Sequence, residues 1–116
     1  MTSFAGEQGI RAARVQGIGA FSEAVLGFFD AERREYDRFP VAGDAEVLAF
    51  LGNLSVDDEG PRLHAHVTLS RRDGSALGGH LFEGRVGATL EIFVMEVPGE
   101  LRRSPDEGTG LPLLDL

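Results

Sequence analysis

Glycine recurs along the whole chain at short intervals, and this spacing limits the possible folds more than any other feature of the sequence. Sixteen of the 116 residues are glycine, and short apolar segments fill the intervals between them. Such segments bounded by glycine are typical of β-strands joined by tight connections. We therefore predict seven strands, over residues 12–17, 20–30, 32–38, 45–55, 62–70, 76–85 and 88–97.

The two ends of the chain do not follow this pattern. Residues 2–8 are predicted to form a short helix that ends at Gly9, because glycine is common directly after a helix. We expect the tail 98–116, which begins at Pro98 and contains Pro105 and Pro112, to be irregular. It is expected to dock through its leucines, Leu111, Leu113 and Leu114. The predicted fold is a single domain over residues 1–116 of class α+β, mainly an antiparallel β-sheet, partly barrel-like, with one short N-terminal helix.

The charge of the chain limits its partners. The formal net charge is -8, and the 11 basic residues are all arginine. Proteins that bind nucleic acid usually concentrate basic side chains on one surface, whereas the nearest groupings here are arginine pairs at 33–34, 71–72 and 102–103. Nucleic-acid binding is therefore disfavoured, although a basic surface created by oligomerisation would allow it.

Location and possible cysteine chemistry are limited by what the sequence lacks. Cysteine is absent, so disulfides and thiolate metal sites are excluded. No apolar run reaches the length of about 18 residues that suggests a membrane span, and the first residues do not resemble a secretory signal. We therefore expect no membrane contact and, by default, a cytoplasmic location.

All three histidines lie in one short stretch, LHAHVTLSRRDGSALGGHL, over residues 63–81. Side chains alternate between the two faces of a strand, so Leu63 and Val67 are expected on one face with Ala65 and Leu69. His64 and His66 then lie on the opposite face with Thr68. Because the first set is strongly apolar, we predict that these two histidines point away from the core.

The position of His80 depends on the turn of this hairpin. A two-residue turn at 73–74 would place His80 on the core face and expose the leucines at 77 and 81. A three-residue loop with Gly74 in the left-handed conformation pairs Arg71 with Ser75 instead. His66 then lies opposite His80, and both leucines join the core. Because hydrophobic patterning normally sets strand register, we predict the second arrangement, which brings the three histidines together.

Three neighbouring imidazoles are a chemically plausible metal site. Neutral imidazole is a good zinc ligand, and three protein ligands with one open position are usual at catalytic zinc. The alternative is that the histidines only make hydrogen bonds on a half-exposed face, and the hairpin alone does not decide between the two. Histidine, glycine and aromatic residues on this outer face also suggest burial against another copy of the chain.

Glu91 is the carboxylate that we consider for this site. It would act as a fourth ligand, as a hydrogen-bond partner that orients a histidine, or as a general base on a metal-bound water. The simpler alternative, slightly favoured, is a cross-strand ion pair with an arginine. The glycine-rich stretch 17–21 lacks the spacing of a nucleotide-binding loop, and we interpret it as a tight turn between two strands.

Four segments together resemble a known family. They are VQGIGAFSEAVLGFFDAERREY, LGNLS, LHAHVTLSRRDGSALGGHL and GATLEIFVME, and they lie between residues 14 and 96. The sequence is similar to the PPC family, named for a domain conserved in plants and prokaryotes, and His-x-His followed by Gly-Gly-His is the most specific part. The resemblance implies an antiparallel α+β fold, a homotrimer, and a metal site of three histidines that match His64, His66 and His80.

The resemblance says less about function. Some bacterial members carry a DNA-binding label, and plant members join the domain to AT-hook segments that bind the minor groove. The sequence contains no Arg-Gly-Arg-Pro AT-hook. Similar proteins also have an additional N-terminal strand before the segment that matches residues 4–21, so we expect a strand of the family to be missing here. One sheet edge would then be uncovered, and uncovered edges promote association.

Three functional hypotheses follow. We favour a small homotrimeric PPC-type domain whose histidines bind zinc or another divalent transition metal, with a role in binding, assembly or regulation rather than catalysis. The first alternative is DNA binding, which requires a basic surface built by oligomerisation. The second is a metal-dependent enzyme in which Glu91 lies near a metal-activated water.

Overall fold

The computed structural model describes residues 1–115 of the chain. One helix, α1 (Thr2–Gln8), precedes four long strands and two short ones. The long strands are β1 (Ala13–Asp30), β2 (Glu35–Asp57), β3 (Gly60–Ser70) and β4 (Ala76–Glu96), and the short strands are β5 (Arg103–Pro105) and β6 (Pro112–Leu114). Within these residues, no helix is long and apolar enough to cross a membrane.

The four long strands form a closed ring. Each strand pairs antiparallel with the next in the order β1-β2-β3-β4, and β4 pairs back with β1. With α1 as the one described α-helix, this arrangement confirms the predicted α+β class with a mainly antiparallel, partly barrel-like sheet. α1 occupies the residues expected of it, and the chain leaves it at Gly9, whose φ of 69° is left-handed.

The strand boundaries differ from the prediction. Six of the seven predicted strands merge in pairs into β1, β2 and β4, because the glycines between them, Gly19, Gly43 and Gly87, lie inside continuous strands and not at reversals. The turn predicted at 17–21 is wrong, since these residues lie inside β1 at a shift in its register with β2. A Cβ at Gly19 would overlap the backbone oxygen of Thr89, so the glycine permits a close approach of β1 to β4.

The tail is more ordered than expected. Residues 103–105 and 112–114 pair as the antiparallel strands β5 and β6, where the sequence predicted irregular structure. The tail is joined to the ring by a backbone hydrogen bond from the Val56 N–H to the Leu101 carbonyl. Of the three leucines expected to dock, Leu111 and Leu114 are half-buried and Leu113 is exposed.

The core lies inside the ring. The fully buried side chains include Val15, Phe21, Leu26, Leu54 and Leu69, which come from β1, β2 and β3. Strand β4 contributes partly buried residues, among them Leu77 and Leu81. Burying these side chains supplies most of the stabilisation of the fold, at about 25 cal/mol per Å² of apolar area removed from water.

Candidate metal centre

The hairpin of β3 and β4 has the register that the leucines predicted. His66 is paired with His80, and the Arg71 N–H donates to the Ser75 carbonyl at 2.9 Å. Gly74 has a φ of 82°, the left-handed conformation expected for the three-residue loop. Pairing between β3 and β4 extends from Ser70 back to His66 and no further. The histidines therefore lie at the point where the two strands separate.

The three imidazoles form one compact group, here called the histidine cluster (His64, His66 and His80). The ring centroid of His64 lies 5.2 Å from those of His66 and His80, and the His66 and His80 centroids are 5.5 Å apart. Each ring offers one nitrogen within 4.8 Å of the nitrogens of the other two. His66 is exposed, whereas His64 and His80 are half-buried.

Aromatic side chains hold His80 in place. The rings of Tyr36 and Phe82 have centroids 4.8 Å from that of His80. The guanidinium of Arg38 lies 3.8 Å from the centre of the Phe82 ring, which fixes the outer side of this stack. Gly27 is paired with His80 across the sheet, and its missing side chain leaves the space that Phe82 and Tyr36 fill.

Burial favours the uncharged form of two of the three imidazoles. Burial lowers the pKa of His80 to about 4, assisted by the neighbouring His64, His66 and Arg38. Burial likewise lowers the pKa of His64, with help from Arg103 and His66. Imidazoles with lowered pKa values are neutral near pH 7, so their lone pairs remain free to bind a metal.

The donor set fits a transition metal. Among the described residues, the Nδ1 atom of His80 is the buried side-chain nitrogen or oxygen that has no hydrogen-bond partner. Leaving such an atom unsatisfied costs about 1–3 kcal/mol, and a metal ion would satisfy it. Zinc–nitrogen bonds are about 2.0–2.1 Å long, so nitrogens up to 4.8 Å apart need to close by less than about 1 Å each.

Arg103 is a site residue that the sequence did not reveal. The residue is 8% exposed, and its guanidinium donates to the Ser55 hydroxyl at 2.8 Å, the Pro112 carbonyl at 2.8 Å and the Asn53 side-chain oxygen at 3.0 Å. It also lies 3.4 Å from Nδ1 of His64. None of the ion pairs among residues 1–115 includes Arg103. Thirty-nine residues separate it from His64, so no local pattern signals the contact.

Glu91 is not brought to the histidine cluster. It lies eleven residues beyond His80 in β4 and is paired with Ile18 of β1. At about 3.3 Å per residue, this places it more than 30 Å further along the strand. Among the described residues, the group of potential metal ligands at this place consists of the three histidines, so within one chain the expected roles of Glu91 as ligand, orienting partner or general base find no support. The ion pairs of the described residues also do not include Glu91.

A small cavity adjoins the histidine cluster. Its volume is about 200 Å³, and it lies between the ring and the tail. The lining residues are Tyr36, Arg62, Leu63, His64, His80, Arg103, Leu111, Pro112 and Leu113. The tail therefore forms one wall of the space beside two of the three imidazoles.

Known proteins share this fold. The sequence profile of the Plants and Prokaryotes Conserved (PCC) domain matches residues 1–98. The chain therefore belongs to the plants-and-prokaryotes-conserved family, the PPC family of the resemblance above. No curated protein sequence matches the chain.

Three solved structures illustrate the likeness. A plant- and prokaryote-conserved protein from Pyrococcus horikoshii is 37% identical, with a TM-score of 0.93 over 99% of this chain and 80% of its own. A metal-containing protein from Archaeoglobus fulgidus is 41% identical, with a TM-score of 0.91 over 99% of this chain and 81% of its own. A candidate DNA-binding protein from Bacteroides thetaiotaomicron is 32% identical, with a TM-score of 0.93 over 98% and 80%.

Proposed function

We propose that this chain is a homotrimeric PPC domain that binds zinc or another divalent transition metal through His64, His66 and His80 and serves as a binding, assembly or regulatory module. The observation that carries the proposal is the histidine cluster, whose nitrogens lie within 4.8 Å of one another. The metal-containing relative from Archaeoglobus fulgidus supports the metal assignment.

The surface of the single chain supports self-assembly. The described chain exposes 7407 Å², whereas a compact monomer of 12.5 kDa exposes about 6,200 Å². Its extents of 41 × 37 × 18 Å describe a flattened body. Four large apolar side chains on the outside of the ring are 53–63% exposed, and we call them the apolar face: Ile18, Leu48, Leu51 and Phe93. Exposed apolar patches of this kind mark interaction surfaces.

The apolar face continues into the histidine cluster. Leu51 is paired with His66 across β2 and β3, and directly opposite residues of paired strands share a face. On the other side of Leu51, Gln16 of β1 lies between it and Phe93 of β4. A subunit that covers this face would therefore reach the exposed His66. We infer that the metal site lies at the edge of the trimer interface.

The two alternative functions have less support. A metal-activated water needs a base within reach, and among the described residues no carboxylate joins the histidine cluster. DNA binding is suggested by the relative from Bacteroides thetaiotaomicron. In this chain, however, carboxylates pair with five of the arginines, Arg11, Arg33, Arg62, Arg85 and Arg102. Salt-sensitive binding to duplex DNA would restore that alternative.

Elemental analysis of untagged protein tests the metal site. We expect close to one zinc or other transition-metal ion per histidine cluster, falling to less than one tenth in His66→Ala. The matched control is Thr68→Ala, which alters the next outward side chain of β3 and should keep the metal. Protein that remains metal-free after incubation with zinc, or a His66→Ala variant that retains the metal, would overturn the proposed site.

Light scattering tests the assembly. We expect a mass close to three chains for the wild type and a smaller mass for Leu51→Glu, because a charge on the apolar face cannot be buried without a large cost. Phe4→Glu is the control, since Phe4 is also exposed but lies on α1. A monomeric wild type, or a trimer that survives Leu51→Glu, contradicts the proposed interface.

A further inference from the structure

The cavity beside the histidine cluster has two chemically different sides. One side is apolar and comes from Leu63 of β3 together with Leu111 and Leu113 of the tail. The other side carries the imidazoles of His64 and His80 and the guanidinium of Arg103. At about 200 Å³ the cavity is smaller than the roughly 300–1,000 Å³ of drug-sized pockets, so it suits a small molecule with one polar end.

The polar side carries uncompensated positive charge. Arg62 at the cavity margin is neutralised by Asp57 and Glu59, whereas Arg103 takes part in no ion pair among residues 1–115. No aspartate or glutamate is among the lining residues. A buried cation without a counter-charge is costly, and an anion that pairs with it is correspondingly favoured.

The guanidinium of Arg103 also has an N–H donor that its contacts with the described residues do not use. Arginine has five N–H donors, and the contacts to Ser55, Pro112, Asn53 and His64 use four of them. With respect to residues 1–115, one N–H therefore remains for a ligand. A carboxylate is a good match, because charge-assisted hydrogen bonds from arginine to carboxylate are among the strongest in proteins.

We propose that this cavity binds a small aliphatic carboxylate, with its carboxylate group at Arg103 and the histidine cluster and its hydrocarbon end against Leu63, Leu111 and Leu113. The proposal deepens the proposed function and rests on it, since the metal at the histidines would add a second positive centre for the same carboxylate. A short, unbranched acid such as butyrate, which has one charged and one apolar end, is a suitable probe.

Cobalt(II)-loaded protein titrated with butyrate tests the proposal. We expect butyrate to change the visible cobalt spectrum and to bind at least tenfold more tightly than butyramide, which has the same shape but no charge. Leu111→Trp, which fills the apolar side, and Arg103→Gln should each weaken butyrate binding at least tenfold. Val97→Trp, which lies outside the cavity lining, should leave it unchanged.

The outcomes separate this proposal from the metal site. If cobalt binds but butyrate gives neither a spectral change nor heat in calorimetry, the carboxylate site is wrong and the metal site stands. Equal binding of butyrate and butyramide also overturns it. If cobalt does not bind, the metal site is wrong, and calorimetry on the metal-free protein then tests the carboxylate site by itself. Butyrate binding that depends on Arg103 supports the carboxylate site. Absence of butyrate binding overturns it. Comparing Leu111→Trp with Arg103→Gln guards against a variant that simply unfolds.

Discussion

Two arginine-centred clusters in this molecule are built in opposite ways. At the connection of β1 and β2, Arg33 contacts the carboxylates of Asp30, Glu35 and Asp37 at 2.6–2.9 Å, and its side chain is half exposed. Hydrogen bonds to Asp37 and Asp30 raise the pKa of Arg33. Hydrogen bonds from Arg33 lower the pKa of Asp30. Every charge in this cluster has a partner, and water reaches all of them.

The second cluster lies where β3 and β4 separate, and among residues 1–115 nothing neutralises the charge of its arginine. Within this part of the chain, Arg103 is buried and has only neutral partners, and burial lowers its pKa. The Nδ1 atom of His80 has no hydrogen-bond partner among the same residues, and burial lowers the pKa of this imidazole to about 4.

The difference indicates which cluster is the better candidate for a functional site. Exposed ion pairs contribute little to folding, commonly about 0–1 kcal/mol, and their geometry needs no further explanation. Buried groups without partners reduce stability. Strongly perturbed titratable groups beside a cavity are typical of functional sites. The contrast therefore directs attention to the histidines and Arg103, and not to the better connected Arg33.

Replacing Arg103 should have the largest effect on folding. Arg103→Met keeps the volume of the side chain but removes the donors to Ser55, Asn53 and the Pro112 carbonyl, of which Ser55 is fully buried. We expect the free energy of unfolding to fall by about 2–3 kcal/mol, the cost of leaving buried polar groups unsatisfied. Urea denaturation in the presence of a chelator measures this. A change too small to measure would show that the tail does not depend on Arg103.

Gly27→Ala should have the next largest effect. A Cβ at this position would lie 2.5 Å from Cε2 of Phe82 and 3.2 Å from Cδ1 of Tyr36, so both aromatic rings beside His80 must move. We expect a loss of about 1–2 kcal/mol in unfolding free energy, typical of overpacking, and weaker zinc binding. Gly6→Ala in α1 is the control, because only Pro61 approaches at 3.8 Å. Unchanged zinc affinity in Gly27→Ala would show that metal binding does not depend on the packing of Phe82 and Tyr36 around His80.

The histidine cluster itself could be predicted from the sequence. The leucines at 77 and 81 fix the register of the hairpin, because only one loop length directs both toward the core, and that register pairs His66 with His80. Local patterning decides such a case, since the strands are adjacent in sequence and joined by a short loop.

The role of Arg103 and the length of the strands could not be predicted from the sequence. Arg103 donates hydrogen bonds to Ser55 and Asn53, which lie 48 and 50 residues earlier in the sequence. Strand propensity and periodicity describe only local structure, so they do not predict contacts between such distant positions. The merged strands were missed because glycine allows both a reversal and a bulge. At Gly19 the chain continues as a strand with a register shift, and the nearby backbone of β4 favours glycine there, because a Cβ would overlap the Thr89 oxygen. The distance of Glu91 from the histidines was missed as well, because it follows from the unbroken length of β4 (Ala76–Glu96), which the sequence prediction divided into two strands.

Low pH should reduce the stability of the metal-free protein, because His80 takes up a proton more readily in the unfolded chain than in the folded one. Its folded-state pKa of about 4 is below the ordinary 6.5, so between these two values the unfolded chain binds a proton that the folded chain does not. Stability is therefore independent of this group above pH 6.5 and falls as the pH drops toward 4. We expect the difference in unfolding free energy between pH 7.5 and pH 5, measured with chelator, to be smaller in His80→Gln. An equal difference in both proteins would show that His80 is not responsible.

Arg33→Gln should have the smallest effect, although it removes the most ion pairs. The variant loses contacts to Asp30, Glu35 and Asp37, but all these side chains remain hydrated, and the Arg33 backbone N–H still donates to the Asp30 carboxylate at 2.9 Å. We expect the urea midpoint to stay within experimental error of the wild type, and zinc binding to be unchanged. A loss of stability as large as that of Arg103→Met would refute the contrast between the clusters. Repeating the measurement in high salt, which screens exposed charges and hardly affects buried ones, would then show whether the ion pairs are the cause.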